Sequence, residues 1–435
     1  MTLESIWMDV SLPRFPAAEG TLKTDVLIIG GGMAGLLCGH FLKAAGVDCV
    51  IAEASQIAGG ITKNTTAKIT AQHGLCYHKL ASRFGLETAG RYLEANEWAV
   101  GQYYRLCREL DCDFTRQDNH IYSRNNRAVL EAELEVLQEL RYPAVVAENL
   151  PLPFPTLGAV RFPGQGQFHP RKFLSAIAEN LSVFEHTPVR ELRKFTAITD
   201  RAAISAEKII VATHFPFLNK HGSYFMKLYQ QRSYAIALEG APELAGMYLD
   251  EAENGLSFRS QGDALILGGG GHRTGKQGGN WQELTAFARW AYPDARITHR
   301  WATQDCMTLD GIPYIGQYSA RTPNLYVATG FNKWGMTSAM VCARVLTELI
   351  LEKQSPYEDL FSPSRSMLQP QLGLNLLEST KNLLTPTTKR CPHLGCALKW
   401  NPQERSWDCP CHGSRFTEDG KLIDNPATGN LKEQA

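Results

Sequence analysis

The chain has 435 residues, enough for two or three domains at ~100–200 residues each, which excludes a single small binding module. Lys plus Arg and Asp plus Glu both total 44, so no net field draws the chain as a whole onto nucleic acid or anionic lipid. A hydrophobic fraction of 44% with 20% charged residues suits a water-soluble chain that buries a sizeable core.

Met1 to Gly20 carries Glu4, Asp9 and Glu19 and lacks a basic region followed by an apolar core, so no secretory signal is expected. No apolar run approaches the ~20 residues of a membrane span, and the expected location is cytoplasmic. Residues 25–29 read as a buried strand that ends at the G-x-G-x-x-G turn of Gly30, Gly32 and Gly35. The glycines allow a tight turn, close approach to a pyrophosphate, and close packing of helix on strand. Met33 and Ala34 open a helix whose N-terminus faces the phosphate charge. A second strand, residues 47–52, leads to Glu53, 18 residues past Gly35, where a carboxylate can accept hydrogen bonds from ribose hydroxyls. Strand, helix and acid agree on a dinucleotide without separating FAD from NAD.

Residues 59–68, with Thr62, Thr65, Thr66 and Ala67, are the small and hydroxyl types that close backbone approach demands. His73, Tyr77 and His78 follow, and His169 lies in a Gln-Phe-His-Pro stretch; each is a candidate to face substrate, with a structural hydrogen bond as the alternative. Residues 128–140 read as a helix packing Leu130, Leu134 and Leu137 into the core. Residues 206–213 read as a buried strand returning to the first sheet, and residues 229–238 and 264–268 as strands of a mostly antiparallel substrate domain. Arg232, Arg259 and His272 lie there; an Arg could clamp a carboxylate, and a salt bridge is the slightly preferred alternative. Residues 270–276 fit G-x-x-x-x-G-K, but Gln277 and the glycines after it deny a P-loop its helix, so a glycine-rich loop is expected. Further on, Asp310 opens an Asp-Gly-Ile-Pro-Tyr-Ile-Gly segment. A strand at 325–328 then meets a turn with Gly330, Trp334 and Gly335, and a helix starts at Met336.

Together these segments resemble the D-amino-acid-oxidase-like flavoprotein family, glycine and sarcosine oxidases included, over about residues 23–351. The resemblance implies FAD. It places residues 59–68 across the pyrophosphate and ribityl chain, the backbone of Val189 near the adenine, and Thr213 at the end of the returning strand. Asp310, Gly330, Trp334, Gly335 and Met336 then close on the ribityl chain and pyrimidine carbonyls. The implied fold is α/β plus β: a Rossmann-like FAD-binding domain (about 22–90, 155–215 and 300–352, within 22–355) and an interleaved antiparallel substrate domain (about 91–154 and 216–299). Family amine oxidases often carry a Lys where Leu265, Ile266 and Leu267 stand, which weakens an amino-acid-oxidase reading, and Cys306 is expected to leave the flavin non-covalent. No catalytic residue is assigned; the candidates are His73, Tyr77, His169 and Arg259.

Eleven cysteines include seven scattered ones expected as reduced thiols, and four within 21 residues near the carboxyl end. Residues 356–386, Pro-rich at first and helical over 371–384, form the expected linker to a segment at 387–432. There Cys391-x-His393 and Cys409-x-x-His412 offer two thiolates and two imidazoles on paired loops, the donor set of a mixed-ligand [2Fe–2S] centre. The pattern resembles the Rieske family, which makes Cys391, His393, Cys409 and His412 the iron ligands and implies a disulfide between Cys396 and Cys411. Tetrahedral zinc is the competing site, and it does not account for six candidate ligands in two matching loops. Ser414 can donate to a cluster sulfur, whereas Phe416 stands where a Tyr donor is often found, so the potential should sit below the top of the ~−150 to +300 mV range. A segment of about 45 residues buries too little surface to stand alone, so it is expected to dock on the flavoprotein body.

FAD and a cluster in one chain imply an FAD-dependent dehydrogenase. It would oxidise a small amine or amino-acid-like substrate and pass electrons singly through the cluster to an external acceptor, with no nucleic acid and no membrane span. The rival readings are a non-catalytic electron-transfer or redox-sensing flavoprotein, and a flavin oxidase with a structural zinc or degenerate cluster site.

Overall fold

The glycine turn decides how the first sheet is built. In the computed structural model, which describes residues 2–218 and 221–431, Gly30 has φ +112° and an added Cβ would lie 2.5 Å from the Ala212 carbonyl oxygen. At Gly35 a Cβ would lie 1.8 Å from the Gly30 oxygen, so only glycine lets the helix Met33–Ala44 sit this close to the strand Gly20–Ile29. That strand is central in an eight-stranded sheet, with Cys49–Ala52 and Ala202–Val211 as its parallel neighbours. Leu325–Thr329 continues the parallel order beside Ala202–Val211, and the apolar run of each strand is buried by helices. The helix Gly335–Ile350 packs on Met33–Ala44, with the Cys38 and Cys342 sulfurs 3.7 Å apart.

A second, nine-stranded sheet is antiparallel except where Met247–Asp250 runs parallel to Thr115–Tyr122. Its long strands Leu228–Glu239, Ala264–Arg273 and Arg296–Thr308 lie side by side. The chain positions expected for the flavin part contribute here as well: Ala159–Gln167 pairs with Thr115–Tyr122, and Lys68–Ile69 pairs with Ala159–Gln167. Conversely, the helix Leu86–Cys107 packs on the flavin side, where the Tyr103 hydroxyl donates to the Met336 carbonyl at 3.0 Å. The glycine-rich stretch expected as a loop from 270 is strand as far as Arg273, because Gly271 and His272 continue the pairing beside Arg232.

The expected linker follows the body surface as an ordered segment. Leu360 and Phe361 are buried in the main core, and Arg365 forms a bidentate ion pair with Asp310 at 3.0 and 3.1 Å. The helix Pro370–Leu384 then leads to a four-stranded antiparallel sheet of Lys399–Asn401, Ser406–Asp408, Arg415–Thr417 and Leu422–Asp424. Its buried core is four cysteines with Leu398, Phe416 and Ala427, too little for independent stability, and the segment is docked on the body. The expected segment end at 432 lies outside the described residues.

Candidate functional site

A cavity of about 1100 Å³ opens between the two large sheets, at the carboxyl ends of the parallel strands. Gly30, Gly32, Met33, Ala34 and Glu53 line it from the first βαβ unit, and Thr62, Thr65 and Thr66 from the following segment. Val189, Thr213, Asp310, Gly330, Trp334, Gly335 and Met336 complete the wall expected for a flavin. Gly35 and Ala67 stand behind that wall: Gly35 closes the helix on the strand, and Ala67, at φ +54°, turns its carbonyl toward Arg259. Glu53 accepts from the Gly31 and Ser55 amides at 2.6 and 2.8 Å, while burial outweighs those donors and raises its pKa.

These residues fit FAD. At Gly32 an added Cβ would meet only the Thr62 hydroxyl, at 3.3 Å, so the glycine leaves backbone facing open cavity, and the volume exceeds the ~1000 Å³ upper end of ordinary small-molecule pockets.

The candidate catalytic residues separate. His73 lines the cavity but is held on all sides: Nδ1 meets the Tyr92 hydroxyl at 2.8 Å, Nε2 lies 2.8 Å from the Thr337 hydroxyl, and the ring stacks on Trp334 at 5.0 Å. Burial pushes its pKa down to about 3, so it is neutral. Tyr77 is fully buried away from the cavity, donating to the Ala71 carbonyl at 2.5 Å and packing on Phe162. His169 is the N-cap of Pro170–Ala178, accepting from the Lys172 amide at 3.2 Å and meeting Asp9 at 3.0 Å. Arg259 is fully buried and donates to the Thr66 and Ala67 carbonyls, both at 2.8 Å, so it shapes the flavin segment and cannot reach a substrate. His78 pairs with buried Glu133 at 2.8 Å, and His272 is fixed by Tyr234 and Asn280 at 3.0 and 3.1 Å.

Sequence reasoning missed Lys68. It lines the cavity, burial first and then Arg259 lower its pKa to about 7, and its ammonium donates to the Thr66 hydroxyl at 3.1 Å. The available signal was a Lys closing a run of small and hydroxyl residues that already holds Lys63. Asp305 also lines the cavity, with burial raising its pKa; it neighbours Cys306, which is buried on the same wall with its sulfur 3.6 Å from the Thr329 hydroxyl.

At the carboxyl end two tight loops present the second donor set. The Gly395 amide closes the first loop onto the Cys391 carbonyl and the Gly413 amide closes the second onto the Cys409 carbonyl, both at 2.9 Å. The His393 and His412 rings meet edge to face at 5.0 Å. The Cys396, Cys409 and Cys411 sulfurs lie within 4.8 Å of one another, and Cys391 hydrogen-bonds with Cys409 and Ser414. Burial lowers the His393 and His412 pKa values to about 4 and about 3, leaving both rings the neutral form that ligates metal. Both His412 ring nitrogens are buried with no hydrogen-bond partner, a cost that a metal at the loop tips would remove. The donor set therefore fits a [2Fe–2S] cluster. Cys396 and Cys411, the pair that the resemblance joins as a disulfide, lie side by side with their sulfurs in contact.

The two sites share a wall. Residues Leu422, Ile423, Asp424, Asn425, Ala427 and Thr428 of the cluster segment line the large cavity, and Asn425 donates to the Thr213 and Phe215 carbonyls at 2.6 and 2.7 Å. Gln230 donates to the His412 carbonyl and Gln304 to the Gly413 carbonyl, both at 2.8 Å. Gln230 pairs across the ladder with cavity-lining Cys306, so one strand separates cluster loop from cavity. Arg232 forms the salt bridge that was the preferred alternative to a substrate clamp, crossing to Glu404 of the cluster hairpin; Tyr234 at 2.9 Å and Arg415 at 2.7 Å complete that buried node.

Comparison with known proteins matches two parts of the chain. Residues 25–349 match the family model of DAO-type FAD dependent oxidoreductases, and residues 369–434 that of the Rieske [2Fe-2S] domain. A Bacillus subtilis protein described as a Rieske 2Fe-2S iron-sulfur protein, YhfW, is 33% identical over 494 aligned positions, covering 99% of this chain and 97% of its own. Cytochrome b6-f complex iron-sulfur subunit 3 of Nostoc is 50% identical over 42 residues, which is 10% of this chain and 24% of that protein. Among solved structures, glycine oxidase from Geobacillus kaustophilus superposes with a TM-score of 0.67 at 19% identity, over 80% of this chain and all of that one, a likeness of fold.

Proposed function

Because the chain belongs to the DAO-type FAD dependent oxidoreductases and carries a Rieske [2Fe-2S] domain, we propose that it is a dehydrogenase for a small amine, handing electrons singly to an external acceptor. Bound FAD supplies acceptance of a hydride equivalent from substrate, and the cluster supplies one-electron transfer onward. The observation that carries this reading is the shared wall: residues of the cluster segment line the flavin cavity, and Gln230 ties the His412 loop to the strand beside it.

An amine is favoured by what the cavity offers. Lys68, with a pKa of about 7, is partly neutral near neutrality and can take a proton from an arriving ammonium group, so that the nitrogen lone pair is free. The two arginines that could have clamped an amino-acid carboxylate are committed, Arg232 to Glu404 and Arg259 to backbone carbonyls. His73 and Trp334 form a fixed aromatic wall that orients what binds and excludes water.

The test is anaerobic. Purified holoprotein is mixed with a panel of primary and secondary amines and amino acids while flavin absorbance and the cluster EPR signal are followed. Flavin bleaching followed by the signal of a reduced cluster is expected with at least one amine. Bleaching with a cluster that never becomes reduced would remove the electron route, and bleaching only by amino acids would remove the amine class.

A further inference from the structure

We propose that the helix Pro370–Leu384 is a bilayer-binding surface that seats the protein peripherally on anionic membrane, beside the cluster. The helix is inverted relative to an ordinary surface helix. Its polar Asn375 and Asn382 are buried, at 3% and 1% exposure, while Leu374, Leu377 and Leu384 are 57%, 70% and 76% exposed. The polar face is committed inward: Arg273 donates to Asn375 at 3.1 Å, Asn375 donates to the Met226 carbonyl at 3.3 Å, and Lys276 pairs with Glu378 at 2.5 Å. Those partners fix the helix rotation, so the leucines cannot turn into the body.

A contiguous apolar patch of this kind marks an interaction site. The local charge selects the occupant. Residues 366–400 contain Lys381, Lys389, Arg390 and Lys399 against a single acid, Glu378, which Lys276 already neutralises. In a chain of balanced overall charge, this excess complements anionic headgroups around an inserted leucine face. The helix itself carries no aromatic or Arg anchor of the sort that dominates a protein interface, while Lys381 beside its outward leucines can snorkel to headgroups. The face also continues into the cluster loop, because Arg390 donates to the Leu383 carbonyl at 3.2 Å and to the Gly395 carbonyl at 2.8 Å, and Leu394 of that loop is 39% exposed. Binding would therefore bring the first cluster loop to the lipid surface.

The experiment is flotation of the holoprotein with vesicles of phosphatidylcholine, with and without phosphatidylglycerol. The wild type is expected to float with phosphatidylglycerol vesicles and far less with phosphatidylcholine alone. Leu374→Ser/Leu377→Ser/Leu384→Ser should lower vesicle affinity by about a hundredfold, with flavin and cluster absorbance unchanged. Lys381→Glu, on the exposed face, should weaken flotation with phosphatidylglycerol vesicles only, and it keeps the test decisive if the triple variant misfolds. No flotation with either vesicle, or flotation untouched by these substitutions, overturns the proposal. So does a dimer in light scattering that the triple variant disperses while vesicles fail to bind, since the face would then join two copies of the chain.

Discussion

Replacing Glu404 with Gln should uncouple the cluster segment from the flavoprotein body. The Glu404 carboxylate is 9% exposed and accepts from Arg232 Nε at 3.0 Å, Arg415 at 2.7 Å and the Tyr234 hydroxyl at 2.9 Å. Burial by itself would raise its pKa, but Arg232 and Arg415 outweigh it and hold the value at about 2, against 4.5 for a free Glu. A fall from 4.5 to about 2, at ~1.4 kcal/mol per pH unit, corresponds to about 3–4 kcal/mol. That stability is fully present above pH 4.5 and is lost as pH falls toward 2, because the unfolded chain binds the proton first. Glu404→Gln removes it at neutral pH and strands Arg232, 2% exposed, whose ion-pair partner is Glu404; breaking one side of a buried pair typically costs about 3–5 kcal/mol. The loss should fall on the docked segment, because its own core is small. Thermal melting followed separately by cluster absorbance and flavin fluorescence should show coincident transitions in wild type and an earlier cluster transition in the variant. Arg232→Met/Glu404→Leu, which removes both charges, should bring the transitions back together. Coincident transitions in Glu404→Gln at the wild-type temperature would refute the reasoning.

Lys68→Met should lower kcat/KM for an amine by about a hundredfold and abolish the rise in rate as pH increases through about 7, where Lys68 loses its proton; an unchanged pH profile would exclude a role for its ammonium group. Gly413→Ala places a Cβ 2.7 Å from Gln230 at φ +84°, so it should push the second cluster loop off the body and slow cluster reduction by substrate, with flavin bleaching rate as the internal control. Cys409→Ser should yield protein with flavin and without iron or acid-labile sulfide by metal and sulfide analysis; iron retained at full stoichiometry would mean the thiolate of Cys409 is not a ligand.

The features legible in the sequence are those closed by short stretches of chain. Gly30 to Gly35 build their turn within six residues, and Glu53 follows at a spacing set by one helix and one strand. The cluster loops are likewise local, each tied by an amide four residues on, so the order Cys-x-His and Cys-x-x-His carries the donor set by itself. The roles of charged residues depended on partners far along the chain. Arg232 reads as a salt-bridge residue only slightly ahead of a substrate clamp, and no partner is named for it until the docked hairpin brings Glu404, 172 residues later, within 3.0 Å. Arg259 reads as a salt-bridge residue or a candidate substrate ligand until the sheet turns it onto carbonyls 192 and 193 residues away. Lys68 gained its low pKa only from burial beside Arg259. The helix Pro370–Leu384 shows the limit most sharply, since its periodicity fixes two faces but not which of them meets the body. Tertiary partners, Arg273 and the Met226 carbonyl for the Asn375 amide and Lys276 for Glu378, turned the polar face inward, because an unpaired buried amide costs more than a leucine left in water.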